Sequence, residues 1–515
     1  MTSKPNVMLI VLDCLRSDRV FGPGRTAKTP VLDDLREKSC GFSSIFVENS
    51  ITAPSFASLF TGRYARNHGV LGMVGVKLDE SCTTLAEAFA ANGYETYAEV
   101  TGPLNPILGM DKGFAHYHYR SQQEYSFTDW GRNLLSRLQN KELIEPFFVA
   151  VHLWELHVPR QVRPEFDSEE FGASPYDRAL SSLDPFIGEL IAAVGPETAV
   201  VLTGDHGECV DEIPAEGTLL PYFLKKLDLP PVGAQLTQSI DSVTDLMAEE
   251  PRLHQFAAEM SRLSGENRSR LRFRQRLRMM LSLLLIGLTR YRLQMKRGLK
   301  KGFFHTLRQK LNDIALFFSV ALGRADAAQF QLVRNSLEEH KLQHGYHIYD
   351  YLQRVPLLFH APGLVPTGKV VTADLRHIDL MPTLIEAFEL DASTEGCDGE
   401  SYFAYIREGG KDRPIFLEAR GGAQAEKVFL IRGVRRDGQK VAYAPFEDDA
   451  PTEYYDLCAD SCESMNLADS RTEEAATLRE EAEALSQSFA GASGNTLSAR
   501  ENLEMVKRLK SLGYM

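Results

Sequence analysis

Six side chains with acid–base or metal-binding chemistry lie next to short apolar runs of the sequence. They are Asp13 at the end of 7–13, His157 after 147–153, Asp205 and His206 after 198–204, and His344 and His347 before 355–363. Carboxylates and imidazoles bind divalent ions, and an imidazole also transfers protons near neutral pH. These residues predict a metal-binding or acid–base site if the fold brings the ends of the runs together.

The apolar runs alternate with helical patterns such as LDDLREKS at 32–39 and TLAEAFAANG at 84–93. Short apolar runs that alternate with helices are typical of a parallel sheet covered by helices on both faces. Reactive residues of such sheets collect beyond the carboxyl ends of the strands. We therefore predict an α/β fold in which the polar residues lie at one rim of the sheet.

A hydroxyl group precedes a predicted helix in the segment NSITAPSFASLFTGRYARNHGV at 49–70. Thr52 and a Pro-Ser turn come directly before an apolar helical run, whose N-terminus would stabilise an anion. A structural role is the alternative, because Thr52 or Ser55 can cap the helix that follows. Asp13 can likewise be only a cap for the next helix.

Read with three other motifs, this segment resembles the sulfatase branch of the alkaline-phosphatase superfamily. The others are LIVLDCLRSD at 9–18, VVLTGDHGE at 200–208 and HGYHIYDYLQRVPLLFHAPG at 344–363. Further similarities are HVPR at 157–160 and EYYDLCADSCESMNL at 453–467. The resemblance implies a large mixed, mostly parallel sheet between helices, of the alkaline-phosphatase type.

Three positions depart from the sulfatase pattern. Thr52 occupies the place of the cysteine that sulfatases oxidise to formylglycine. Phe56 occupies the place of the arginine that follows this cysteine in the sulfatase motif. Cys14 occupies the place of a second carboxylate. The chain thus resembles members that use a threonine or serine nucleophile, which include phosphonate and phosphodiester hydrolases and phospho-headgroup transferases.

The resemblance also implies one divalent metal ion and a set of roles. The expected metal ligands are Asp13, Thr52, Asp205 and His206, an oxygen and nitrogen set that favours Zn²⁺ or Mn²⁺, with Ca²⁺ as a further candidate. Thr52 would be the nucleophile and His157 the general acid. His344 would bind a non-bridging oxygen or assist the same proton transfer.

The expected function is that of a metal-dependent, sulfatase-like hydrolase. Its substrate would be a sulfuric ester, or a phosphorus ester of the phosphodiester or phosphonate type. One alternative is a phospho-headgroup transferase of the same superfamily, in which an alcohol replaces water. The other is a catalytically decayed, membrane-associated scaffold, in which Cys14 and Phe56 mark the lost site.

The chain divides into four predicted segments. They are a first catalytic part at 1–210, a basic, mostly helical insertion at 211–343, a second catalytic part at 344–395, and a C-terminal α+β subdomain with a helical tail at 396–515. Strand-like pieces such as PIFLEA predict the last of these.

The net charge of −13 argues against a nucleic-acid binder as a whole. Residues 262–310, by contrast, contain fifteen Lys or Arg and one acidic residue, Glu266. This basic segment can bind an anionic membrane surface, form a solvated helical subdomain, or bind an anionic polymer. An anionic ester substrate is expected, and no specific nucleic acid.

The seven cysteines are scattered and odd in number, which favours a reducing compartment. No apolar run reaches the length of about 20 residues that spans a bilayer. We therefore expect a cytoplasmic protein that can be peripheral at the inner membrane face. Cys458 and Cys462 are expected to be free thiols.

The remaining histidines have weaker expectations. His152 lies within a predicted strand and is interpreted as a core residue. His116 and His118 are interpreted as surface residues beside a turn. His344 is favoured over His347, although a helix would place the two on one face.

Overall fold

A computed structural model describes residues 4–73, 76–121, 123–210, 212, 217–226, 344–420, 430–489, 491, 497, 501 and 504–505. These residues belong to one compact unit, which comprises residues 1–229 and 342–512. The basic segment 262–310 and most of the expected insertion at 211–343 lie outside the described residues. The bounds of the four sequence segments stay predictions.

Nine strands form the larger sheet. The run VMLIVL at 7–12, one of the central strands, is apolar throughout, as expected for a strand covered on both faces. The strands are β1 (Val7–Leu12), β2 (Cys40–Phe46), β3 (Glu95–Val100), β4 (His116–Tyr119), β5 (Phe147–Leu153), β6 (Ala199–Gly204), β7 (Arg354–His360), β8 (Val370–Val371) and β9 (Leu375–Arg376).

The strand order of the larger sheet is β4-β3-β5-β1-β6-β7-β2-β8, and β9 also pairs with β2. Strands β4, β3, β5, β1 and β6 are mutually parallel, whereas β7 runs antiparallel to both β6 and β2. The sheet is therefore mixed and mostly parallel, which confirms the predicted fold class.

Twelve α-helices are described. They are α1 (Asp18–Phe21), α2 (Pro30–Lys38), α3 (Thr52–Thr61), α4 (Ala65–His68), α5 (Leu85–Ala91), α6 (Asp129–Gln139), α7 (Pro175–Val194), α8 (Leu219–Lys226), α9 (Asp350–Gln353), α10 (Leu380–Ala387), α11 (Tyr405–Glu408) and α12 (Thr472–Ser488). None of the described helices is long and apolar enough to cross a membrane.

Helix α7 covers one face of the large sheet. Alternate residues of β1 share a sheet face, and residues three or four apart share a helix face. Met8, Ile10 and Leu12 of β1 accordingly pack in one buried cluster with Leu183 and Ile187 of α7. This packing fixes the carboxyl end of β1, where Asp13 follows.

A separate sheet of four antiparallel strands follows near the C-terminus. Its strands are β10 (Ile415–Ala419), β11 (Ile431–Arg436), β12 (Gln439–Tyr443) and β13 (Glu453–Asp456). Val434, Val441 and Tyr454 pack against Leu478 and Ala482 of α12. The expected C-terminal α+β subdomain is thereby confirmed.

Candidate active site

The carboxyl ends of three neighbouring parallel strands define one rim of the large sheet. In the β-ladder, Leu12 of β1 pairs with Leu153 of β5 and with Gly204 of β6. Asp13 and Asp205 are the next residues on their strands, so they leave the sheet at the same level. The amide of Asp13 continues the ladder for one more bond, to the carbonyl of Leu153 at 2.8 Å.

Two buried carboxylates therefore lie side by side. Both Asp13 and Asp205 have no solvent exposure. Burial and the charge of Asp13 raise the pKa of Asp205 to about 6. Burial also opposes ionisation of Asp13, but a hydrogen bond from His152 and the charges of His157 and His206 hold its pKa well below the usual range. The pair carries negative charge that has no access to water.

Thr52 is the first residue of α3, and its hydroxyl points at this carboxylate pair. Thr52 Oγ1 lies 3.3 Å from Asp13 Oδ2 and 3.3 Å from His206 Nε2. The N-cap of α3 is Ile51, and no side chain caps the helix. Ser55 Oγ instead donates to the Asp205 carbonyl at 2.5 Å. Neither hydroxyl has the capping role that was the alternative for it.

His206 is oriented by its own backbone. Its Nδ1 lies 2.8 Å from the Gly207 carbonyl and donates to it, so the lone pair of the neutral ring is on Nε2. One ligand atom from each of Asp13, Asp205 and His206 lies within 4.8 Å of the other two. Asp205 Oδ2 is buried and accepts no hydrogen bond from the described residues. This donor set, with the Thr52 hydroxyl beside it, fits a divalent cation.

Cys14 turns the chain sharply at the end of β1. Its φ of 62° lies in the left-handed region, which is uncommon for a residue with a Cβ. The turn directs the Cys14 amide to Asp205 Oδ1 at 3.1 Å and the thiol to Asp13 Oδ1 at 2.8 Å. Cys14 thus donates a hydrogen bond to each of the two carboxylates.

His344 and His157 complete the rim from two other segments. The His344 ring centroid is 4.6 Å from that of His206 and 5.3 Å from that of His157. His157 is buried, stacks on Trp154 at 4.2 Å, and donates from Nδ1 to the Val158 carbonyl at 2.6 Å. The residues to which the resemblance assigns a role therefore lie together at one rim, namely Asp13, Thr52, His157, Asp205, His206 and His344.

Glu208 pairs with His344 and was not singled out from the sequence. Glu208 Oε2 lies 3.3 Å from His344 Nδ1. Burial disfavours both charges, yet His344 lowers the pKa of Glu208 to about 2, and Glu208 raises the pKa of His344. His344 is therefore favoured as an imidazolium.

The family can be assigned from the sequence as a whole. The sulfatase family model matches residues 5–268, slightly more than half of the chain. The chain belongs to the sulfatase family. Arylsulfatase A of Bos taurus is 27% identical over 270 residues, which cover 40% of this chain and 52% of that enzyme. The chain thus spans about half the length of the curated relatives it matches.

Solved structures show the same fold over nearly the whole chain. The structure of Ps i-CgsB in complex with k-i-k-neocarrahexaose has a TM-score of 0.58 at 17% identity and covers 99% of this chain and 98% of its own. The phosphonate monoester hydrolase of Agrobacterium radiobacter has a TM-score of 0.55 at 16% identity, with 94% and 95% covered. At these identities the likeness concerns the fold.

Sequence reasoning missed the contact of His152 with this site. His152 was interpreted as a core residue, and it is buried in β5, but its Nε2 also lies 3.3 Å from Asp13 Oδ2. Its ring also packs edge-on against Phe56 at 4.9 Å, so an apolar contact stands at the family's arginine position. Because Val11 pairs with His152 in the sheet, the available signal was its position one residue before the end of β5.

The other histidines lie away from the rim contacts. His347 Nε2 lies 3.3 Å from the Tyr351 hydroxyl, and burial lowers the pKa of His347 to about 3. His344 and His347 share no helix, since α9 begins only at Asp350. His116 and His118 are exposed, as expected, and lie on strand β4, which closely follows a turn at 111–113; each contacts a glutamate of β3. Cys458 and Cys462 are exposed free thiols.

Proposed function

We propose that the protein is a metal-dependent hydrolase of sulfuric or phosphoric esters that uses Thr52 as its nucleophile. One observation carries this proposal. The Thr52 hydroxyl is not used as a helix cap but lies 3.3 Å from both Asp13 Oδ2 and His206 Nε2 in a buried site. A threonine hydroxyl in that place is the group best positioned to attack an ester.

Asp13, Thr52, Asp205 and His206 would hold the metal ion. Asp205 Oδ2, which accepts no hydrogen bond from the described residues, and the Nε2 lone pair of His206 supply ready ligands. Oxygen and nitrogen donors suit Zn²⁺ or Mn²⁺, and Ca²⁺ is a further candidate. A bound divalent ion lowers the pKa of a coordinated hydroxyl and offsets the charge of the ester oxygens.

Each step of the proposed hydrolysis is assigned to a side chain of the site. Thr52 Oγ1 passes its proton to Asp13 Oδ2, the carboxylate oxygen that accepts its hydrogen bond, and forms a bond to sulfur or phosphorus, while the bond from that atom to the leaving oxygen breaks. His157 donates a proton to the departing alkoxide, which would otherwise be a poor leaving group. His344, kept as an imidazolium by Glu208, binds a non-bridging oxygen. Water then releases the Thr52 adduct.

The substrate class follows from this arrangement. A site with an imidazolium and a cation at its rim suits an anionic ester. The Ps i-CgsB structure contains a neocarrahexaose, and an anionic polymer is one of the partners that the basic segment 262–310 predicts. Recruitment to an anionic membrane surface by the same segment, and a cytoplasmic location, stay predictions.

The test is a panel of aryl sulfate, aryl phosphate, phosphodiester and phosphonate esters, assayed with the metal-supplemented full chain. Thr52→Ala is compared with Thr61→Ala, a matched control on the same helix. Thr61 is buried, and its hydroxyl bonds only to the Ala57 carbonyl among the described contacts. We expect one ester class to be hydrolysed by the wild type and the control, and not by Thr52→Ala.

Three outcomes would contradict the proposal. Turnover that survives in Thr52→Ala would exclude Thr52 as the nucleophile. A product in which an added alcohol has replaced water would instead indicate the transferase. Failure of the folded chain to bind any divalent ion would favour the scaffold.

A further inference from the structure

The site contains a second set of metal-binding side chains beside the one assigned above. One ligand atom from each of Cys14, His206 and His344 lies within 4.8 Å of the other two. Cys14 and His206 have no solvent exposure, while the His344 side chain is 12% exposed. A sulfur and two imidazole nitrogens make a softer donor set than the oxygen-rich one.

His344 is held as a metal-binding histidine is usually held. Metal-binding histidines generally donate their second ring N–H to a carboxylate or a carbonyl. Nδ1 of His344 lies 3.3 Å from Glu208 Oε2, so Nε2 is the nitrogen that carries a lone pair once the ring is neutral. His206 has the equivalent arrangement, with Nδ1 on the Gly207 carbonyl. In both neutral rings the lone pair is thus on Nε2.

The two donor sets share His206. Its Nε2 has a single lone pair and can coordinate one ion at a time. An ion bound to Cys14, His206 and His344 therefore deprives the set of Asp13, Asp205 and Thr52 of its imidazole ligand. It also removes His344 from contact with the ester oxygens.

We propose that Cys14, His206 and His344 form a binding site for a thiophilic divalent ion such as Cd²⁺ or Zn²⁺, and that this site excludes the catalytic ion. Binding replaces the Cys14 S–H bond and the Nε2–H bond of the His344 imidazolium by bonds to the metal, and both protons leave to solvent. Glu208 is the positioning residue for His344. The inhibitory consequence rests on the proposed function, whereas the binding site itself does not.

Cd²⁺ titration of the metal-free full chain tests the site without an activity assay. A thiolate bound to Cd²⁺ gives a sulfur-to-metal charge-transfer band in the ultraviolet. We expect this band to saturate at one equivalent in the wild type and to be absent in Cys14→Ser. Glu208→Gln is expected to keep the band but weaken Cd²⁺ binding about 10- to 100-fold.

The double variant Cys458→Ser/Cys462→Ser is the control, because these two exposed thiols are the obvious competing ligands. We expect the double variant to retain the band. No band in the wild type, a band that persists in Cys14→Ser, or a band lost in the double variant would each overturn the site. If Cys14→Ser does not fold, unweakened Cd²⁺ binding by Glu208→Gln would also count against it.

Competition with Mn²⁺ tests whether an ion at the Cys14 site excludes the proposed catalytic ion. We expect excess Mn²⁺ to move the Cd²⁺ titration to higher concentrations, and simultaneous binding of both ions would refute the shared ligand. Thr52→Ala should keep the Cd²⁺ band, because Thr52 is not in the second set. A failure of Thr52 as nucleophile and a failure of the Cys14 site are thereby distinguishable.

Discussion

Glu48 provides a prediction whose size can be worked from the structure. It follows β2 closely and is buried, and its Oε2 accepts a hydrogen bond from the Ala65 amide at 2.7 Å. The Glu418 amide of β10 donates to the Glu48 carbonyl at 2.9 Å. Burial and the charge of Glu418 raise the pKa of Glu48 to about 8. At neutral pH the Glu48 side chain is therefore a neutral carboxylic acid.

The sign of the effect on stability follows from this raised pKa. Between pH 4.5, the ordinary value, and about 8, the unfolded chain ionises at Glu48 while the folded chain does not. The contribution of Glu48 to stability is complete below that window and is lost as pH rises through it. The slope approaches about 1.4 kcal/mol per pH unit, so the whole loss is on the order of 4 to 5 kcal/mol.

Glu48→Gln removes this proton and keeps an acceptor for the Ala65 amide. Urea unfolding of wild type and variant, at several pH values inside the window, gives the difference between their unfolding free energies. Other titrating groups contribute equally to both proteins and cancel in the difference. We expect the unfolding free energy of the variant to rise relative to that of the wild type by about 1.4 kcal/mol per pH unit.

A matched variant, Glu386→Gln, changes an exposed glutamate of α10 in the same way. We expect its difference from wild type to stay flat across the window. A flat difference for Glu48→Gln as well, or one that falls with pH, would refute the reasoning, because it would mean that Glu48 is ionised in the folded chain.

The remaining predictions concern the rim of the large sheet. His157→Gln should lower kcat/KM about 10²- to 10⁴-fold for esters of alkyl alcohols and far less for esters of acidic phenols, since only the former need a proton; equal losses would exclude general acid catalysis. His152→Ala should weaken binding of the proposed catalytic ion about 10- to 100-fold, measured by calorimetry, since His152 orients its ligand Asp13; an unchanged affinity for that ion would contradict this. Glu208→Gln should move the alkaline limb of kcat/KM to lower pH, because the raised pKa of His344 falls without Glu208 and its proton is lost earlier; an unmoved limb would show that His344 does not act as an imidazolium.

The rim could be predicted from the sequence because it depends on local patterns. Uniformly apolar runs identify buried strands, and parallel strands end at a common edge. Asp13 and Asp205 follow such runs directly, so their proximity needs no knowledge of the loops. The assignment of Thr52 required the motif resemblance, because a hydroxyl at the start of a helix is otherwise indistinguishable from a cap.

The contacts among the loops could not be predicted in this way. The left-handed turn at Cys14 and the pairing of Glu208 with His344 depend on where three segments far apart in the sequence meet. The contact of His152 with Asp13 was missed because an apolar strand context indicates only a core role. Only the register of β5 against β1 places its ring beside Asp13.

The central claim is that Thr52 forms a covalent adduct with the substrate. Rapid acid quenching during turnover of the ester that the panel identifies, followed by peptide mass spectrometry, tests it directly. We predict one added phosphoryl or sulfuryl group on the peptide around residues 49–63, assigned by fragmentation to Thr52 rather than Ser55, and no adduct in Thr52→Ala. Modification at Ser55, or wild-type turnover with no adduct together with an active Thr52→Ala, would contradict the account.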